Sequence, residues 1–123
     1  MDQKSKEGPV TRALVKTETA WDDSQLPNYP TGKPEIIIDR ISFPPHHVTD
    51  WHYHSVINAG VILSGELTIV CKDGKEKTFS AGEPIVECVG EIHRGENRGD
   101  IPVDIIMFYN STPGQPIETE VKE

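Results

Sequence analysis

The segment INAGVILSGELTIVCKDGKEKTF, residues 57–79, decides the fold class of this 123-residue chain. Apolar side chains alternate with others in ELTIVCK, where one face takes Leu67, Ile69 and Cys71. The Asp73-Gly74 pair that follows is typical of a tight hairpin turn, and KEKTF fits the returning strand. The segment therefore predicts short antiparallel strands with one face in a core.

The same rhythm continues on both sides of this segment. EIIIDRISF (35–43) is β-branched, and Pro44-Pro45 ends it. VDIIMFYN (103–110) alternates again, with Val103, Ile105, Met107 and Tyr109 on one face. Roughly eight to ten short strands, turn signals between them and no amphipathic helix predict an all-β sandwich or barrel. The double-sheet jelly roll is the natural candidate.

The length suits one domain with three parts. Residues 1–34 are expected to be an N-terminal arm and an irregular lead-in, with a candidate first strand at ALVKTET (13–19). Residues 35–110 hold the β-rich barrel. Residues 111–123 are expected to be an acidic tail, either loose or lying on a neighbouring subunit.

Charge and composition exclude several classes of partner. Twenty acidic residues against twelve basic ones give a net charge of −8, which disfavours nucleic acid and anionic membrane surfaces. No run reaches the length of a membrane span, and the opening MDQKSKEGPV lacks a signal pattern. A cytoplasmic protein and a secreted one with its signal removed both remain open. Cys71 and Cys88 lie in apolar stretches and are expected to be buried free thiols, with a disulfide or a role as metal ligands as the alternatives.

The histidines are the candidate metal-binding residues of this sequence. His52 and His54 are two apart, so on a strand their imidazoles would lie side by side on one face, as two ligands of one metal must. Asn58 shares this parity unless the chain turns near Ser55. His93 lies on a separate predicted strand and can approach the pair from across a barrel. His46 and His47 fit an exposed loop better.

These residues fall into two arrays that resemble the motifs of the cupin superfamily. The first motif, G-x5-H-x-H-x3,4-E-x6-G, is matched in spacing by His46, His52, His54, Asn58 and Gly65. The second, G-x5-P-x-G-x2-H-x3-N, is matched by Gly82, Cys88, Gly90, His93 and Asn97. The resemblance covers about residues 35–110. It implies a double-stranded β-helix, or jelly-roll barrel, with His52, His54 and His93 as ligands of one divalent metal.

Three positions depart from the family pattern. His46 replaces a glycine and Cys88 a proline, which predicts a changed turn at each place and no lost chemistry. Asn58 stands where the family has its metal-binding glutamate. Asn58 is therefore expected either to bind the metal through its amide oxygen or to hydrogen-bond a metal-bound water.

A neutral amide in place of a carboxylate leaves the metal charge at +2, which strengthens its Lewis acidity and its attraction for anions. Three imidazoles are compatible with Zn, Ni, Fe, Cu or Mn. The 2-His-1-carboxylate pattern of non-haem iron oxygenases is absent. Glu87, Glu91 and Asp50 are nearby acids that could supply charge or a general base.

Three functions fit these residues, because cupins host many chemistries. A metalloenzyme of the oxygenase, isomerase or hydrolase type would act on a small oxygenated or anionic molecule at the barrel mouth. A non-catalytic module would bind a metal or small ligand. A structural protein would use the metal to join strands. Cupins of this size resemble those that pair into homodimers, and a homodimer is expected here.

Overall fold

A computed structural model describes residues 8–122. The strands are β1 Glu35–Phe43, β2 His52–Tyr53, β3 Asn58–Ser64, β4 Glu66–Cys71, β5 Glu76–Ser80, β6 Pro84–Val86, β7 His93–Glu96, β8 Val103–Ser111 and β9 Thr119–Glu120. The described residues contain no helix, and thus none long and apolar enough to span a membrane. The prediction of an all-β protein is confirmed.

The strands form two antiparallel sheets. The four-stranded sheet has the order β1-β8-β3-β6, and the five-stranded sheet has the order β5-β4-β7-β2-β9. Side chains from both sheets meet in one buried apolar cluster of Val56, Ile62, Leu67, Ile69, Phe79, Ile85, Val103, Ile105, Met107 and Tyr109. Two sheets packed over a shared core are the jelly-roll architecture that the strand pattern predicted.

The segment that predicted the fold forms its hairpins as expected. Gly65, between β3 and β4, has φ of 79°, and a Cβ there would lie 2.6 Å from the Pro102 carbonyl oxygen. Only glycine fits such a turn without strain. Between β4 and β5, the Gly74 N–H donates to the Cys71 carbonyl over 2.9 Å, which closes the predicted tight turn.

β8 carries the predicted alternation through the centre of its sheet. It pairs with all nine residues of β1 on one side and with β3 on the other. Its odd-numbered residues point into the core, whereas Ile106 and Phe108 lie on the outer face and are exposed. Ile36 and Ile38 of β1 lie exposed on the same outer face. The outer face of the sheet therefore carries an apolar patch.

The lead-in differs from its prediction. Residues 1–7 of the predicted arm lie outside the described residues. The candidate strand at 13–19 is wrong: the segment is exposed almost throughout, and its one bridge joins Thr19 to Gln25. Local propensity makes a strand only where a partner offers backbone groups. The Trp21 N–H then donates to the Val86 carbonyl over 2.9 Å, which ties the lead-in to β6.

The C-terminal segment is part of the barrel and not a loose tail. β9 pairs with β2, where Thr119 lies opposite Tyr53 and Glu120 opposite His52. The Val121 N–H also donates to the Trp51 carbonyl over 2.9 Å. The segment covers what would otherwise be the free edge of β2 and so satisfies its backbone groups.

Candidate metal centre

Three histidines converge inside the barrel. His52 on β2 lies directly opposite His93 on the paired strand β7, and His54 follows β2. The ring centroids are 4.6 Å apart for His52 and His93, 5.2 Å for His52 and His54, and 5.0 Å for His54 and His93. All three side chains are buried. The structure thus brings together the three residues that the motifs singled out.

Backbone carbonyls fix the orientation of all three rings. The contacts of Nδ1 join His52 to Asp50 (2.7 Å), His54 to Ile117 (2.9 Å) and His93 to Glu91 (2.8 Å). Since a carbonyl can only accept, each Nδ1 carries the hydrogen and donates, which leaves Nε2 with its lone pair free. The three histidines offer ligand nitrogens within 4.8 Å of one another. This is how metal-binding imidazoles are held in proteins.

A carboxylate accompanies the histidines. Glu87 is buried, with Oε2 3.5 Å from Nε2 of His93 and 3.7 Å from Nε2 of His54. Burial opposes ionisation, but the two imidazoles outweigh it and hold the pKa of Glu87 well below its usual range. For His93, burial is likewise outweighed by Glu87, which raises the imidazole pKa. At His52, burial dominates and lowers the pKa.

Asn58 lies beside this group at the start of β3, opposite Tyr109, and is fully buried. Its Nδ2 donates to the Val56 carbonyl over 3.0 Å, and its Oδ1 has no partner. β2 ends at Tyr53, so the strand does not run on and the parity argument for Asn58 fails. The residue reaches the interior on the next strand instead. Its role as a metal ligand stays a prediction.

Unpartnered polar atoms are concentrated here. Among the described residues, four buried side-chain atoms lack a hydrogen-bond partner, and three of them are Asn58 Oδ1, Glu87 Oε1 and His93 Nε2. Burying such atoms without a partner is unfavourable, and their clustering indicates a missing ligand. Three imidazole nitrogens beside a carboxylate oxygen are a donor set that divalent transition metals accept. The residues present therefore fit a metal ion.

A cavity of about 440 Å³ opens beside the histidines and is lined by His52 and His54. Its apolar wall is formed by Ile41, Phe43, Val48, Leu67, Ile69 and Tyr109. Three acids, Asp50, Glu118 and Glu120, line it as well. Glu118 Oε1 lies 3.8 Å from Nε2 of His52. A hydrogen bond with Asp50 raises the pKa of Glu120, as expected where two carboxyl groups meet.

Sequence reasoning missed the contribution of the C-terminal segment. Ile117 supplies the carbonyl that orients His54, and Glu118 and Glu120 line the cavity. The alternation of Ile117, Thr119 and Val121 was a strand signal, although a short one. Glu87 and Asp50 had been named as nearby acids, but nothing in the sequence separated them from Glu91, which is exposed.

His46 and His47 are exposed, as predicted. His46, which stands at the family's glycine position, has φ of 64°, in the left-handed region that favours glycine. Its Nε2 lies 2.9 Å from Asp100 Oδ1. The histidine therefore occupies a glycine-type turn. His47 lines the cavity.

Cys71 and Cys88 are buried free thiols, as predicted. Burial raises the pKa of Cys71 to about 11 and raises that of Cys88 as well. Together with Asp22 they form a second group whose potential ligand atoms lie within 4.8 Å of one another. Cys88 Sγ lies 3.6 Å from His93 Nδ1, so this group adjoins the histidines.

Known structures share this architecture. An oxalate oxidase in complex with the substrate analogue glycolate is 24% identical, with a TM-score of 0.58 over 70% of this chain and 46% of that one. An uncharacterised double-stranded β-helix protein from Klebsiella pneumoniae is 18% identical, with a TM-score of 0.60 over 72% and 76%. A sugar phosphate isomerase of the cupin superfamily from Silicibacter pomeroyi is 22% identical, with a TM-score of 0.56 over 63% and 52%.

These likenesses establish the fold alone, and this chain spans about half the length of the oxalate oxidase. No curated protein sequence matches the chain significantly. The family model of the cupin domain matches residues 39–109, which is more than half of the chain. That range contains the three histidines, Asn58 and Glu87. The chain belongs to the cupin family.

Proposed function

We propose that this cupin holds one divalent transition metal at His52, His54 and His93 and acts there on a small oxygenated molecule. The observation that carries the proposal is the set of three Nδ1–H donors bonded to backbone carbonyls, which aims three Nε2 lone pairs at one point. Surface or core histidines need no such shared orientation. A metal bound there would act as a Lewis acid on a hydroxyl or carbonyl oxygen.

The cavity favours a functional metal over one that only joins strands. His52 and His54 belong to both the histidine group and the cavity wall, so a molecule in the cavity would contact the site. A volume of about 440 Å³ lies in the usual range for small-molecule pockets. A purely structural metal has a closed coordination sphere and needs no such access.

The cavity lining points to a neutral substrate more than to an anion. Asp50, Glu118 and Glu120 add negative potential along the wall. The nearby arginines do not offset it, because Arg94 and Arg98 both pair with Glu96. The oxalate oxidase and sugar phosphate isomerase neighbours are named for charged substrates. We propose that this chain prefers a neutral hydroxy or carbonyl compound instead.

Calorimetry with glycolamide and glycolate, which match in size and differ in charge, tests this preference on zinc-loaded protein. We expect glycolamide to bind at least as tightly as glycolate. Glu118→Gln should strengthen glycolate binding, since it removes a negative charge from the wall. Tighter binding of glycolate by more than about tenfold, unchanged in the variant, would contradict the proposed substrate class.

The position of Glu118 supports a role in proton transfer and so isomerase-type chemistry. Its carboxylate lies 3.8 Å from Nε2 of His52 on the cavity side, and is half-exposed. It could accept a proton from a carbon next to a carbonyl group held at the site. Deuterium uptake by hydroxyacetone in D2O, followed by NMR, measures this directly. Zinc-loaded protein should exceed free zinc, and Glu118→Gln should lose most of the gain; equal rates for all three would reject the role.

We also propose that two copies pair through the outer face of the four-stranded sheet. Ile36, Ile38, Ile106 and Phe108 form an exposed apolar surface there. Among the described residues β1 lies at the edge of this sheet, and the backbone groups on its side away from β8 are available to a second copy. Light scattering should give a dimer mass that Ile38→Lys converts to a monomer. A wild-type monomer would reject the pairing.

A further inference from the structure

The family motif places a carboxylate at position 58, whereas in this chain Glu87, directly after the neighbouring strand β6, lies beside His54 and His93. We propose that Glu87, and not Asn58, is the anionic ligand of the metal held by His52, His54 and His93. This inference rests on the proposed metal-binding function and deepens it. Position 87 belongs to neither set of motif ligands, so the site would combine a familiar histidine set with a relocated acid.

Strand pairing explains how the exchange preserves the site. β3 pairs with β6, with Ala59 opposite Val86, and the Glu87 N–H donates to the Asn58 carbonyl over 3.1 Å. Glu87 therefore continues the register by one residue and lies directly across from Asn58. Side chains opposite each other in antiparallel strands project from the same face, about 5 Å apart at Cβ. A carboxylate moved across this pair still faces the interior.

Glu87 and Asn58 make different contacts, which indicate different roles. Glu87 Oε2 lies 3.5 Å and 3.7 Å from the Nε2 atoms of His93 and His54, the atoms expected to bind the metal. These separations are too long for good hydrogen bonds but are typical of donors around a shared ion. Asn58 uses its amide to hold the Val56 carbonyl. Of these two side chains, Glu87 is the one that presents a charged oxygen to the histidine nitrogens.

The burial of Glu87 is itself an argument for a cation bound beside it. Glu87 is 7% exposed, and its Oε1 has no hydrogen-bond partner. A buried carboxylate with an unused oxygen is unfavourable unless a cation joins it. A divalent ion would satisfy the carboxylate and the three imidazoles together. The net charge of the ion together with its ligands would fall from +2 to +1, as in a site with the glutamate at position 58.

Cobalt(II) binding tests the assignment without any assay of activity. The dissociation constant is measured by competition with a chromophoric chelator, and the visible absorption of bound cobalt reports the ligand set. Glu87→Gln, which keeps the shape and removes the charge, should weaken cobalt binding more than about tenfold and shift the spectrum. Asn58→Ala should leave the spectrum in place. Glu91→Gln removes an exposed neighbouring charge and should change neither quantity.

The outcomes separate this inference from the proposed function. Weak binding and a shifted spectrum in Glu87→Gln, with a far-UV circular dichroism spectrum like that of wild type, support Glu87 as the ligand. Glu87→Asp, a shorter acid, should give a third spectrum at intermediate affinity. Wild-type affinity and spectrum in Glu87→Gln would overturn the inference while leaving the histidine site intact. Failure of the wild-type protein to bind cobalt at all would overturn both.

Discussion

The interior of this barrel has an apolar half and a polar half, which affect the stability of the fold in opposite directions. The apolar half is the cluster around Ile62, Ile85 and Val103, each at most 1% exposed and packed by apolar neighbours from both sheets. The polar half consists of His52, His54, Asn58, Glu87 and His93, which are also buried but carry three unpartnered polar atoms. The first half removes hydrocarbon from water and stabilises the fold. The second half opposes folding until a ligand joins it.

This contrast explains why one part of a small protein can tolerate unsatisfied groups. The nine-residue pairing of β1 with β8 and the core beneath it hold the scaffold. β2 and β7 contribute few residues, yet they position His52 and His93 opposite each other. The longest strand pair thus holds the scaffold, whereas two of the three histidines are carried by short strands.

The largest expected effect comes from a substitution in the apolar half. Ile62→Ala should lower the free energy of unfolding by about 2–5 kcal/mol, because a fully buried side chain leaves a cavity. Urea denaturation measures this, and metal content per folded molecule should not change. Leu63→Ala is the control: Leu63 is 44% exposed on the same strand and should stay within about 0.5 kcal/mol. Equal losses for the two variants would contradict the comparison.

Two buried side-chain amides, one fully hydrogen-bonded and one not, give a second comparison of the two halves. Asn97 Nδ2 donates to the carbonyls of Phe43, Pro44 and Ile101, and its Oδ1 accepts from the Gly99 N–H. These bonds fix the loop around Asn97. Asn97→Ala should lower the free energy of unfolding by about 1–3 kcal/mol, because buried backbone groups lose partners.

Asn58→Ala is the matched variant, since both amides are buried and Asn58 makes a single side-chain bond. It should reduce stability less than Asn97→Ala in the same urea experiment. A larger loss at Asn58 would mean that the polar half also stabilises the metal-free fold, and the division into halves would not hold.

The smallest effect concerns the ion pairs on the five-stranded sheet. Hydrogen bonds from Arg98, helped by Arg94, lower the pKa of Glu96 against the opposing effect of burial. A carboxyl whose pKa is lower in the folded state stabilises the protein above its unfolded pKa. That contribution is lost as pH falls through the folded value. Glu96→Gln should therefore lose slightly more stability at pH 7 than at acid pH, measured by thermal unfolding. A pH-independent difference would contradict this pairing.

Local patterns predicted much of the fold. β1, β8 and the turn at Asp73-Gly74 depend on alternation and on residues close in the chain, so their sequences predicted them well. The segment 13–19 had strand propensity, but among the described residues only Thr19 finds a bridge partner, Gln25. β9 could not be recognised, because its pairing with β2 joins segments more than sixty residues apart and depends on the barrel closing.

The candidate site divides in the same way between what local patterns predict and what depends on long-range pairing. His52, His54 and His93 were accessible from motif spacing, since spacing records which side chains share a face. Glu87 was named among three nearby acids but not distinguished from Asp50 and Glu91, because its proximity to His93 and His54 depends on the β3–β6 register and on a turn after Tyr53 that no local pattern fixed. Motif spacing thus singled out the three histidines, and only the structure separated Glu87 from the other two acids.

Metal content tests the central account most directly. Untagged protein purified without added metal is analysed by plasma mass spectrometry beside the His52→Ala/His93→Ala variant. A Cys71→Ala/Cys88→Ala variant controls for the adjacent thiol group. We predict about one equivalent of a divalent transition metal in the wild type and in the thiol variant, and none in the histidine variant. No metal in the wild-type protein, even after reconstitution, or equal metal in the histidine variant, would contradict the account.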